Sequence, residues 1–281
     1  MARSCRALGV SRSGFYAWLR RGESRRSRED RELTGKIVQV FAESRGTYGA
    51  PRIRAALRLE GIRVGRKRIA RLMREAGLQA VTRRGRVRTT VSTHRPPPAP
   101  DLVGRRFSVT GPDRLWVADI TYVPTRKGFI YLAVILDAWS RRVVGWSVGD
   151  RLETDLVVGA LEMALTRRRP QGVIHHSDRG TQYTSHWFRM HCLENGVKTS
   201  MGRTGDCYDN AMAESFFATL ECELLALREF RSREEARREL FAFIEGWYNT
   251  RRLHSAIGYH APAAFERLAE NEAAYASPTV H

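Results

Sequence analysis

No stretch of this chain is apolar enough to cross a bilayer. Its longest uninterrupted apolar run, Phe129-Ile130-Tyr131-Leu132-Ala133-Val134-Ile135-Leu136, is eight residues, where a spanning helix needs about 20. The opening residues Met1-Ala2-Arg3-Ser4-Cys5-Arg6 are not followed by the apolar stretch of a secretory signal. A cytoplasmic protein with no membrane partner is expected. Cysteine is scarce too. Cys5, Cys192, Cys207 and Cys222 are scattered, with no Cys-x-x-Cys pair. That argues against a zinc knuckle, and a chain of this size needs no disulfide. His191-Cys192 offers two adjacent ligands, too few to define a metal site. Lysine is as rare, 4 residues against 44 arginines. A GC-rich coding sequence can produce that bias, so arginine abundance alone does not argue for bidentate contacts.

Acids are in short supply in one region only. Residues 1–95 hold 25 Lys and Arg against 7 Asp and Glu, while residues 96–281 hold 23 of each. The whole net charge of +18 therefore lies in the first third. Such asymmetry is the electrostatic footprint of a partner that is nucleic acid or another anionic surface. The remaining composition, 281 residues with 42% hydrophobic, suits one good core plus a smaller domain.

The basic third reads as helical. Cys5 to Leu8 leads to Gly9, and Ser11 can cap a helix over Arg12 to Arg20 with Phe15, Trp18 and Leu19 on one face. A charged connecting helix, Arg20 to Glu32, is followed by a separate helical pattern over Leu33 to Ser44. Pro51 fits the first turn of a helix reaching Glu60. Gly61 stops it, and Arg66 to Arg74 forms the next, apolar at Ile69, Leu72 and Met73 and basic elsewhere. Two short helices joined by a glycine-containing turn make a helix-turn-helix candidate. A solvated helical hairpin, with charges that serve only solubility, fits the same pattern. If DNA is the partner, Arg52, Arg66, Lys67, Arg68 and Arg71 are the candidate contacts.

Pro96-Pro97-Pro98-Ala99-Pro100 marks an extended linker. Beyond it the texture changes. Three strand-like runs, Leu115–Val123, Phe129–Asp137 and Arg142–Val148, make an antiparallel meander. A helix over Glu153–Arg167, a strand over Gly172–Ser177, a helix over Ser185–Glu194 and a strand over Val197–Met201 follow. Helices over about 209–227 and 232–250 complete the series. This order is that of a ribonuclease-H-like α/β core. In it the first and fourth strands are neighbours.

Three carboxylates stand out against that framework. Asp119 interrupts the apolar strand Leu115 to Val123, where a charge is costly. Asp178 ends the run Gly172 to Ser177, and Glu214 lies near the start of a helix. Strand neighbours would bring Asp119 and Asp178 together, and the later helix would deliver Glu214. Oxygen ligands of this kind favour hard cations, and two such cations can activate both oxygens of a phosphodiester displacement. Taken singly, Asp178 could be a turn residue before Gly180 and Glu214 a solvated helix acid. Asp137 could be a turn residue or support the site from behind. Asp209 suits a helix cap. Gln182 and Asn210 could touch DNA or orient carboxylates. Arg252 and His254 could contact phosphates or cap the last helix. His175 and His176 are expected to pack near the strand end.

Several motifs converge on one family. They are Trp116-Val117-Ala118-Asp119-Ile120-Thr121-Tyr122, Asp137-Ala138-Trp139-Ser140-Arg141 with Val144-Gly145-Trp146, His176-Ser177-Asp178-Arg179-Gly180-Thr181-Gln182-Tyr183, Asp209-Asn210-Ala211 through Phe217, and Tyr248-Asn249 through Gly258-Tyr259. Over nearly its whole length the chain resembles the integrase-like DDE transposases of bacterial insertion sequences, of the IS-three type and second reading frame. The resemblance implies a transposase that cuts and joins double-stranded DNA with magnesium or manganese, two ions in the active form. It assigns Asp119, Asp178 and Glu214 as catalytic metal ligands. It also implies assembly as a homo-oligomer on DNA, and an upstream-frame partner or frameshift fusion. The expected layout is a helix-turn-helix-like segment at 1–30, a helical DNA-binding domain at 31–90, a Pro-rich linker at 91–112, the catalytic core at 113–230 and a C-terminal helix and tail at 231–281. One departure stands out. Seven residues after Glu214 the family usually carries Lys or Arg, and this chain has Glu221. The alternatives are therefore a catalytically impaired, repressor-like DNA-binding relative and, more remotely, a nuclease acting on RNA–DNA hybrids.

Overall fold

A computed structural model describes residues 2–81, 99–104, 107–202 and 211–276. The chain divides into two compact units between Val81 and Thr82. Among the described residues no helix is long and apolar enough to cross a membrane.

The first unit is all helical: α1 (Ala2–Ala7), α2 (Arg12–Arg20), α3 (Arg25–Glu43), α4 (Ala50–Leu59) and α5 (Arg66–Glu75). Leu33, Ile37 and Val40 of α3 meet Ile53 and Leu57 of α4 and Ile69, Leu72 and Met73 of α5 in a small core. The connecting helix and the helix expected from Leu33 are one element. Ser24 caps it by accepting the Ser27 N–H at 3.1 Å, no glycine or proline lies between Arg25 and Thr34, and Arg25 pairs with Glu29 one turn on. The boundary expected between residues 30 and 31 thus falls inside α3. Helix α2 buries none of its residues.

The second unit is built on a five-stranded sheet ordered β3-β2-β1-β4-β5. Its strands are β1 (Leu115–Thr125), β2 (Gly128–Asp137), β3 (Val143–Gly149), β4 (Ile174–Ser177) and β5 (Lys198–Met201). The first three form the meander, and β4 and β5 add in parallel beside β1. Side chains alternate faces along a strand. Trp116 and Ala118 of β1 join Ala133 and Ile135 of β2 and Val144 of β3 beneath α6 (Thr154–Arg168). Phe188 and Cys192 of α8 (His186–Glu194), and Tyr183 of the short α7 (Thr181–Thr184), complete that layer.

Gly145 sets how closely α6 approaches β3. A Cβ on it would meet the Ala160 carbonyl at 2.1 Å and the Ala164 Cβ at 2.8 Å. Gly145→Ala is therefore expected to cost about 3 kcal/mol or more, the upper range for overpacking, because the obstacle is backbone. Urea unfolding of the variant checks this; a loss below about 1 kcal/mol would mean that the helix can shift freely.

On the other side, α9 (Ala211–Glu223) packs against β1 and β2, and α10 (Arg233–Phe243) against β1. The helix expected over 232–250 departs from α form at Ile244–Tyr248, a π-turn. A last helix, α11 (Pro262–Ala276), follows. The expected tail after residue 230 is part of this unit. The Phe230 carbonyl accepts the Arg126 N–H at 2.9 Å. Buried Glu266 accepts from Arg142 at 2.6 Å and from Arg168 at 3.0 Å.

Candidate active site

Asp119 lies in β1 opposite Val134 of β2. It is half-buried and accepts the Ile120 N–H at 2.8 Å. The parallel register pairs Trp116 with His175 and Val117 with His176. Carried on past the end of β4, it leads Asp119 of β1 and Asp178 of the following turn toward the same end of the strand pair. Asp178 reaches solvent, yet enough protein surrounds its carboxyl to push its pKa above the ordinary range, against the Gly180 N–H that lowers it from 2.9 Å. Both carboxylates act on one group, the hydroxyl of Tyr183, which burial and these two negative charges push well above the usual phenol range.

Glu214 occupies the first turn of α9 and is half-buried. Met212, Ala213, Phe216, Thr219, Leu220 and Glu223 give that helix its buried stripe. Among the described residues no three Asp, Glu, His or Cys side chains lie close enough to hold a metal ion. The sheet thus draws Asp119 and Asp178 together, and Glu214 does not close a three-ligand cluster with them. Asn210, Asp209 and Cys207 lie outside the described residues. Glu221 is exposed on α9.

The chemistry of the donor set suits a cation. All three side chains are carboxylates, the ligand type of magnesium and manganese. Among the described residues no ion pair neutralises Asp178. Asp178 fits a hard cation on both counts, and Asp119 and Glu214 fit by their chemistry.

Other expected site residues have different surroundings. Arg252 is a correction: it is 3% exposed and faces inward. Its Nε and Nη2 grip Glu223 of α9 at 2.7 to 3.0 Å. Trp247 Nε1 donates to the same carboxylate at 3.2 Å, and the guanidinium lies 5.8 Å from the Tyr248 ring centroid. An arginine so enclosed cannot reach a phosphate. Gln182 donates to the Leu152 carbonyl at 3.1 Å, so its amide N–H is spent on backbone. Asp137 is fully buried and accepts from Asp113 N, Trp139 N, Ser140 N and Ser140 Oγ at 2.7 to 3.1 Å. It is a turn residue that organises the β2–β3 connection. His175 is buried, which lowers its pKa to about 4 with help from His176, so the ring is neutral. His176 Nδ1 meets Ser200 Oγ at 3.0 Å.

In the helical unit Arg66 and Lys67 are exposed on the first turn of α5. Arg52 is half-buried over the Tyr48 ring at 5.6 Å. Arg68 and Arg71 are partly exposed and paired within the unit. Both donate to Asp30, at 2.6 and 2.5 Å, and the hydrogen bonds from Arg71 and Arg68 hold that carboxyl below its usual range. They tie α3 to α5. Tyr183 and the Glu223–Arg252 pair were missed as site features in the sequence. The motif His176 to Tyr183 contained the one signal, a tyrosine five residues after Asp178.

Sheet order, acids and N-terminal helices define an integrase-core protein with a helix-turn-helix-like domain. Residues 109–207 and 195–262 match the integrase core domain, and residues 27–86 the HTH-like domain. A 31 kDa protein of insertion element IS600 from Shigella sonnei is 44% identical over 93% of this chain and 96% of its own length. Transposase InsF of IS3A from Escherichia coli K12 is 40% identical over 93% of this chain and 92% of its own. The chain belongs to the insertion-sequence transposases of the IS3 type. Among solved structures, the HTLV-2 integrase catalytic core in complex with magnesium matches at a TM-score of 0.39 and 17% identity, over 55% of this chain and 97% of that one.

Proposed function

We propose that this transposase cleaves DNA at the ends of its insertion element and joins the freed ends to target DNA, with magnesium or manganese. The observation that carries the proposal is the parallel pairing of β1, which holds Asp119, with β4, which leads straight into the turn that holds Asp178. Asp119, Asp178 and Glu214 are the ligands. A bound pair of cations supplies Lewis-acid stabilisation to the attacking and leaving oxygens. The chain's own part is orientation. Backbone pairing of β1 with β4 fixes Asp119 on a rigid sheet and anchors the turn that carries Asp178. The Ile120 and Gly180 N–H groups each hold one oxygen of their carboxylates. Water attacks the first phosphodiester and releases a 3′-hydroxyl. That hydroxyl attacks a second phosphodiester and displaces its 3′-oxygen. Neither step makes a bond to the protein.

The test is incubation of the protein with labelled duplexes carrying the element's terminal repeats and magnesium or manganese. Nicked ends and joined strands are the expected products. Bound but uncut DNA would favour the repressor-like reading, which Glu221 motivates.

The basic helical unit is proposed to grip the duplex through Arg66 and Lys67. Each phosphate contact contributes about −0.9 to the slope of log affinity against log salt on B-DNA. Arg66→Ala with Lys67→Ala is expected to flatten that slope by about 2 and to weaken binding on all sequences alike. A gel-shift series across salt concentrations measures it; an unchanged slope would remove both residues from the interface.

A further inference from the structure

We propose that Arg141 is a DNA-binding residue of the core, its guanidinium reserved for a backbone phosphate of the duplex on which the acids act. The inference rests on the reading of duplex DNA as the substrate. It begins from a side chain in an unfavourable place. Arg141 sits in the β2–β3 turn with φ at 65°, in the left-handed region that glycine enters without steric cost and other residues enter rarely. Arg45 and Arg169 also take positive φ, but both follow helix ends and are exposed. Arg141 is half-buried. Burial pushes its pKa below the ordinary arginine range, yet an arginine keeps its charge. A charge withdrawn from water is costly unless it is paired.

The other arginines of this region are paired. Arg142 donates to Glu266 at 2.6 Å, Arg168 to Asp113 at 2.9 Å and to Glu266 at 3.0 Å, and Arg252 to Glu223 at 2.7 Å. Among the described residues no hydrogen bond or ion pair holds the Arg141 guanidinium. Two ionisable neighbours bear on its charge, Tyr248 and Asp137. Burial pushes the Tyr248 phenol up to about 12, so it offers no negative charge. Asp137 spends its oxygens on the Asp113, Trp139 and Ser140 N–H groups and the Ser140 hydroxyl. An anion from outside the chain would complete the pairing. The position suits DNA. Side chains alternate faces along β1, so Asp119 lies on the side of the sheet away from Trp116 and Ala118, the side that α9 covers. The Tyr248 ring packs 4.8 Å from that of Phe216, two residues after Glu214 on α9. Arg141 therefore borders the layer that holds the acids. The planar fork of a guanidinium matches two phosphate oxygens at once.

The experiment compares the full-length wild type with Arg141→Gly and Arg141→Lys. Each is titrated, without divalent metal, against a labelled duplex carrying the element's terminal repeat over a series of salt concentrations. Ethylation interference maps the phosphates that each protein needs, and thermal melting is followed without DNA. Arg141→Gly is expected to melt at or near the wild-type temperature, because glycine suits the turn and no pairing within the chain is lost. Its slope of log affinity against log salt is expected to flatten by about 0.9, the share of one phosphate contact. Ethylation of one phosphate is expected to stop interfering in the same variant. Arg141→Lys keeps the charge, so it is expected to keep the slope while binding more weakly. A wild-type slope and interference map in Arg141→Gly would overturn the inference. So would a melt well below wild type in that variant, which would make the guanidinium a packing element of the fold. The expected binding pattern in a protein that never cuts once magnesium is added would overturn the cleavage reading and uphold the phosphate contact. A wild type that binds no duplex would overturn both.

Discussion

Asp119→Ala, Asp178→Ala and Glu214→Ala are each expected to bring metal-dependent cleavage and strand transfer down to background while DNA binding stays at wild-type strength. The expectation follows from where the charges lie. The +18 excess is confined to residues 1–95, whereas the acids belong to β1, the turn after β4, and α9. Removing a carboxylate takes a ligand from the cations and nothing from the basic helices. Losing the electrostatic stabilisation that such a site supplies costs several kcal/mol at the transition state, and each 1.36 kcal/mol is tenfold in rate. Single-turnover cleavage of labelled ends and a gel shift on the same preparations separate the two functions. Glu214 is the most exposed to refutation, because it does not close a ligand cluster with the aspartates among the described residues. A Glu214→Ala protein that cuts at the wild-type rate would leave a two-aspartate site.

The second large effect is on stability. Arg252→Met is expected to destabilise the second unit by about 3–5 kcal/mol, the usual loss when one partner of a buried ion pair is deleted and the other is stranded. Glu223 and Arg252 have side chains 5% and 4% exposed, and Glu223 would lose its guanidinium while the Trp247 bond at 3.2 Å is long. The double variant Glu223→Leu with Arg252→Met is expected to recover most of the loss, since well-packed apolar replacements of buried pairs are often neutral or better. Urea denaturation of the single and double variants decides. A single-variant loss under about 1 kcal/mol, or a double variant no better than the single, would mean that the pair is not desolvated as its geometry implies. The pair joins α9 to the segment after the π-turn, so it also steadies the helix that carries Glu214.

The sequence made the meander legible because its three strands are apolar runs bounded by turn residues. Asp119 drew notice as an acid inside such a run, and Asp178 as the acid that follows β4. Arginine was the difficulty. In a chain with 44 of them, Arg252 looks like a phosphate contact, and its partner Glu223 lies 29 positions away. Arg68 and Arg71 likewise gave no local sign of their pairing, since Asp30 sits 38 and 41 positions off. A side chain's partner across such distances is a property of the fold and leaves no local pattern. The π-turn was hidden because Ile244–Tyr248 continues the helical apolar spacing. Tyr183 was hidden because its ring belongs to the core and only its oxygen is out of place.

Asn249 gives the sheet an unusual timetable. Its carboxamide accepts the Val143 N–H and donates to the Val143 carbonyl, both at 2.9 Å, on the outermost strand of the order. One side chain thereby pairs with the edge as a neighbouring strand would, and open edges invite association with other chains. All five strands have been synthesised once Met201 leaves the ribosome. At Val143 the edge is closed only when Asn249 follows, so the nascent core carries a sticky border through the making of α9 and α10.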